Sequence, residues 1–86
     1  MAMLEFEFKG ETFAVSPVAL KSYKNMKLLA KMRKEPENVE AYEIFALMED
    51  AFLGNDVDYA ERVGGSFESL GELFAAAMNA VKSAKN

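Results

Sequence analysis

Eighty-six residues carrying a net charge of −4, with no cysteine and no histidine, bound what this chain can be before any pattern is read. The length suits one domain with a thin core, because so short a chain buries only about 60–65% of the surface its unfolded form exposes. An apolar fraction of 51% excludes a disordered chain, and the missing His and Cys remove the commonest general base, the thiolate nucleophile and the usual zinc ligands.

In chain order, Leu4-Glu5-Phe6-Glu7-Phe8 alternates apolar with acidic, and Thr12-Phe13-Ala14-Val15 follows Lys9-Gly10-Glu11. Period-two alternation around a glycine turn predicts a β-hairpin within residues 1–15, with Leu4, Phe6 and Phe8 on one face. A lone hairpin is marginal in water, so that face must rest on the helical body or on a neighbouring subunit. Ser16-Pro17 supplies a cap and a preorganised first residue for a helix over 16–34. Along it Ala19, Tyr23, Met26, Leu29 and Ala30 gather on one side, and Lys21, Lys24, Lys27 and Lys31 on the other. Leu28 and Met32 sit off the main stripe.

Glu35-Pro36-Glu37 opens a second helix over 36–53, its acidic first turn favoured by the helix dipole. Apolar residues from Val39 to Leu53 spread around most of its circumference, a pattern normal for a buried helix. Gly54 is placed to end it, and Asp56 to cap a short helix over 57–63. After the break at Gly64-Gly65 a last helix covers 66–84, where Phe67, Leu70, Leu73, Phe74, Ala77, Met78 and Val81 share an arc of about 140°. The expected fold is mainly α, a small helical bundle with a short N-terminal β-hairpin, in one domain over 1–86.

Candidate chemistry is sparse. Asn55-Asp56-Val57-Asp58 imitates the start of a calcium loop, but Glu61 stands where that loop needs glycine and Phe67 where it needs glutamate. Neighbouring carboxylates such as Glu40 with Glu43 and Glu49 with Asp50 read as solvated surface. Neither an enzyme, a cofactor nor a metal is expected. No apolar run approaches the ~18 residues of a membrane span, and Met1–Lys9 lacks the features of a signal peptide, so an intracellular, soluble protein is expected.

The charge is polarised: residues 1–34 balance to +4 and residues 35–86 to −8. The acid excess disfavours nucleic acid as a partner. A different class of protein stays open, a small antitoxin-like or transcription-associated regulator laying the Lys21–Lys34 helix on nucleic acid. Surplus apolar surface on the hairpin and on residues 39–53 predicts a homo-oligomer or another protein partner. The candidate contacts are Phe6, Phe8, Tyr42, Phe45 and Phe52 for apolar docking, with Lys24 and Lys31 for charge.

The order of these elements resembles a known family. A Glu/Phe/Lys hairpin leads into Ser16-Pro17 and a Lys-rich helix with Leu28-Leu29; a Glu-rich helix ends at Phe52-Leu53-Gly54; Asp56 and Tyr59 follow; Gly64-Gly65 and Leu70-Gly71-Glu72-Leu73-Phe74 close the pattern. This resembles the short tail-assembly chaperones of long-tailed, siphovirus-type phages and of prophages. The resemblance implies a cytoplasmic, non-enzymatic factor that coats the tape-measure protein and helps the tail-tube protein polymerise around it, often as an array or ring of subunits. It carries no functional residue over by motif. It also implies a ribosomal slip near the end of the reading frame, for which Ala84-Lys85-Asn86 can be encoded by a permissive run, GCA-AAA-AAC.

Overall fold

The turn of the hairpin sets the first element. Lys9 and Gly10 both take positive φ, 52° and 83°, the two-residue geometry whose twist matches the strands it joins. Strands β1 (Leu4–Phe8) and β2 (Glu11–Val15) pair antiparallel with Leu4 opposite Val15, Phe6 opposite Phe13 and Phe8 opposite Glu11. That register puts the aromatic residues on one face, as the alternation predicts. The computed structural model describes residues 3–84. Met1-Ala2 and the last two residues of the expected slip site, Lys85-Asn86, lie outside the described residues.

Among the described residues five α-helices follow: α1 (Pro17–Leu20), α2 (Tyr23–Lys34), α3 (Ala41–Ala51), α4 (Asp56–Arg62) and α5 (Phe67–Ala84), with a 3-10 turn at Pro36–Asn38. The mainly helical bundle with an N-terminal hairpin is the expected fold class. The hairpin's apolar face rests on the chain's own helices, and β1 lies against α5. A run of ring contacts ties the layers together: Phe6 to Phe13, Phe13 edge-on to Tyr59 at 5.0 Å, Tyr59 to Phe52 at 5.3 Å, and Phe52 edge-on to Phe74 at 6.2 Å. Each such pair contributes about 0.5–1.5 kcal/mol beyond the area it buries.

The outer edge of β2 is closed by α4. The Tyr59 hydroxyl accepts from the Ala14 amide at 3.2 Å, and Arg62 donates to the Thr12 carbonyl at 3.2 Å and to Glu11 Oε1 at 2.9 Å. The Arg62 guanidinium also lies over the Phe13 ring, 4.3 Å from its centroid. Side chains of a helix thus satisfy backbone groups that an edge strand would otherwise present to another chain.

Several sequence expectations need correction. The helix expected over 16–34 is two helices. Ser16 caps α1 as predicted, accepting from the Ala19 amide at 3.1 Å, but Ser22 caps a fresh start, accepting from the Asn25 amide at 3.3 Å and donating to the Ala19 carbonyl at 3.0 Å. The helix expected over 36–53 begins in earnest only at Ala41, because Pro36 holds a single 3-10 turn and Glu43 then reaches back to the Glu40 amide at 3.0 Å. Phe67, expected in the α5 stripe, is 53% exposed, while Leu70, Leu73, Phe74 and Ala77 are buried as expected.

Helix α2 is turned differently from its apparent stripe. Tyr23 is 80% exposed and Met26 is also exposed, while the residues facing the core are Asn25, Leu28, Leu29 and Met32. The break at Lys21-Ser22 uncouples α2 from the phase set by Ala19. Asn25 orients it instead, donating through Nδ2 to the Ala19 carbonyl at 2.9 Å and to Asp50 at 3.3 Å.

Candidate interaction groove between α2 and α3

The C-terminal half of α3 is anchored by Leu47, Met48 and Ala51, all buried, and its end is tied down by the Ser16 amide donating to the Ala51 carbonyl at 2.8 Å. Its N-terminal half, by contrast, touches the core through Ile44 and leaves Tyr42 69% and Phe45 54% exposed. Helix α2 runs beside that half without filling the space between them. The result is a trough of about 800 Å³.

Its apolar surface comes from Leu28 and Ala30 on α2 and Ala46 on α3, with the Tyr23 and Tyr42 rings at its margins. Lys24, Lys27, Lys31 and Lys34 edge it on the α2 side, against Glu35 and Glu43. Positions 24, 27, 31 and 34 recur at helical spacing and so share one face. Two of these lysines already reach across: Lys24 lies 3.3 Å from Asp50, and Lys31 lies 3.7 Å from Glu43, the residue that caps α3. The Lys24–Asp50 pair is exposed and the Lys31–Glu43 pair half-buried, and pairs open to solvent contribute about 0–1 kcal/mol each. They fix the rim loosely and leave it able to exchange partners.

Of the residues singled out from sequence, Lys24, Lys31 and Tyr42 come together in this trough. Phe45 lies outside it and meets Phe67 edge-on at 5.9 Å, forming a separate half-exposed aromatic pair. Phe8 is half-buried, with the Lys9 ammonium 5.4 Å from its ring centroid. Phe6 and Phe52 belong to the core; Phe52 has 0% exposure and offers a partner nothing in the folded chain. Sequence reasoning missed Tyr23, Leu28 and Ala46 as groove residues. The lysine spacing was the available signal for the rim, but nothing in the chain announces that α2 stands off from α3.

Among the described residues no group of three or more acidic side chains is placed to hold a metal ion. No helix there is long and apolar enough to cross a membrane. Comparison with protein-family models, with curated proteins and with solved structures finds no match to this chain.

Proposed function

We propose that this chain is a non-enzymatic protein-binding factor and, among such factors, a phage tail-assembly chaperone. In this reading it holds apolar helical segments of a tape-measure protein in solution and helps the tail-tube protein polymerise around them, in the cytoplasm of the host cell. The observation that carries the binding role is the open trough between α2 and α3, an apolar concavity with tyrosines at its margins on a domain too small to cover it. Tyrosine suits such a place, since its ring docks on apolar surface while its hydroxyl stays wet. The narrower assignment draws its support from the order and composition of the elements described above. Self-association through the Phe45–Phe67 pair is part of the same proposal.

A nucleic-acid regulator is the less favoured reading. Lys24 and Lys31 are paired with carboxylates of α3, so only part of the basic face of α2 is open to phosphates, in a chain whose net charge is −4. Co-expression with a tape-measure protein of a long-tailed phage tests the proposal. The partner is expected in the soluble fraction, co-migrating with this chain. A partner equally insoluble with and without the chain overturns the chaperone reading, and steeply salt-dependent binding to duplex DNA would replace it with the regulator.

A further inference from the structure

We infer that the α2–α3 trough receives an amphipathic α-helix of a partner protein whose apolar stripe is flanked by carboxylates. The inference rests on the protein-binding reading and adds the chemistry of the occupant. Sign is the first argument. Four lysines line the trough against Glu35 and Glu43, with Asp50 against Lys24, so cations still outnumber carboxylates there in a protein whose net charge is −4, and the local charge favours an acidic partner.

Spacing is the second argument. Lys24 to Lys34 spans ten residues, about 15 Å of helix. A helix lying along α2 and carrying acidic residues at intervals of three and four would bring a carboxylate to each ammonium in turn. The rim already shows this chemistry on a small scale, since Lys24 and Lys31 reach carboxylates that stand on α3. Among the described residues Lys27 and Lys34 have no carboxylate within 4.0 Å, so two of the four rim cations remain to be matched.

The third argument is the apolar lining. Leu28, Ala30 and Ala46 are small or aliphatic and leave room for side chains from a facing helix, the groove mode of peptide recognition in which residues at i, i+3, i+4 and i+7 dock. Single-stranded nucleic acid can stack only on the Tyr23 and Tyr42 rings at the margins and leaves Leu28, Ala30 and Ala46 unmatched.

A fluorescent synthetic helix with a leucine stripe flanked by glutamates tests the inference by anisotropy, alongside a twin with lysine for every glutamate and a third with the leucines replaced by glutamine. The leucine–glutamate helix is expected to bind at least about ten-fold more tightly than either control. Ala46→Trp, which fills the trough at an exposed position, is expected to remove binding. The pair Lys27→Glu and Lys34→Glu is expected to turn the preference toward the leucine–lysine helix. Circular dichroism checks that the variants remain folded, and the comparison of the three peptides on the unaltered protein decides the question without them. Equal binding of the two leucine helices overturns the inference, as does a preference unmoved by the lysine reversals or tighter binding of a single-stranded oligonucleotide. An oligomer that Ala46→Trp dissociates, with no peptide bound, would place a second copy in the trough and equally overturn it. If co-expression solubilises the partner while the peptides show no preference, only this inference falls. If the peptides discriminate but the partner stays insoluble, the chaperone reading falls and the chemistry of the trough stands.

Discussion

Lys9 and Leu53 hold left-handed backbone at φ 52° and 57°, a conformation that crowds the Cβ of any residue but glycine and suits asparagine better than most. Lys9 sits in the hairpin turn, and its side chain makes only surface contacts, with Glu72 at 3.8 Å and over the Phe8 ring at 5.4 Å, worth little. Lys9→Asn is therefore expected to raise stability by about 0.5–1 kcal/mol, measurable by urea denaturation. At the end of α3, Gly54 was expected to terminate the helix, and its amide does donate to the Glu49 carbonyl at 2.9 Å. Gly54 is itself left-handed at φ 84°, but so is Leu53 before it, at the position just past the helix cap where glycine is the usual occupant. Leu53→Gly is expected to stabilise by up to about 1 kcal/mol, the relief of strain being partly offset by greater chain entropy and lost side-chain contact. Gly64 is the opposite case: at φ 135° a Cβ would stand 2.7 Å from Ser69 Oγ. Gly64→Ala is expected to cost about 2–3 kcal/mol, visible as a lower thermal midpoint.

Among the elements, the hairpin and α5 were legible because their apolar residues keep one clean period over their whole length. The division of residues 16–34 was not, although Ser22 carried the signal: a serine capping an amide three residues on looks, inside a helical pattern, like an ordinary surface position. Once α2 is uncoupled there, a buried polar residue orients it, and no hydrophobic period encodes that. Asn25→Ala removes the donor to Ala19 and Asp50 and is expected to cost about 1–2 kcal/mol, with faster amide exchange along α2 than elsewhere. Residues 39–53 were read as apolar on nearly every side, which proves true in composition, but burial is one-sided: Leu47, Met48, Ala51 and Phe52 lie in the core with Ile44 packed against it, while Tyr42, Phe45 and Leu53 are exposed. Phe52→Ala is accordingly expected to cost about 3–5 kcal/mol, whereas Phe45→Ala is expected to stay within about 1 kcal/mol of the parent, as befits a half-exposed position. Of the groove, the lysine rim could be read from spacing and Tyr42 was among the expected contacts; Tyr23 could not be told apart, since it shares the apparent stripe with Leu29, which packs against the core.

At the scale of the whole molecule, the domain is a slab of 34 × 33 × 19 Å, about two helix layers thick at the usual 8–10 Å between axes. A slab has more surface for its volume than a sphere, so a short chain folded this way leaves apolar groups such as Phe45, Phe67 and Val57 uncovered. Self-association through the Phe45–Phe67 pair is expected to appear in sedimentation equilibrium and to weaken in Phe45→Glu, which places a charge on that patch. Charge reversal at Lys24 and Lys31 is a less direct probe than the polarity of the sequence suggested. Both lysines face carboxylates within their own chain, and reversal would push α2 away from α3.

That opposition of α2 and α3 is where the proposed function is most open to measurement. Hydrogen exchange of the chain alone and in its co-expressed complex, followed peptide by peptide, reads the docking surface directly. Slower exchange on binding is expected within residues 23–34 and 41–46, the two walls of the trough, with the already buried segments around Leu73 and Phe74 little changed. Protection confined to the hairpin or to α4, with both walls exchanging as in the free chain, would contradict the assignment of the trough as the protein-binding site.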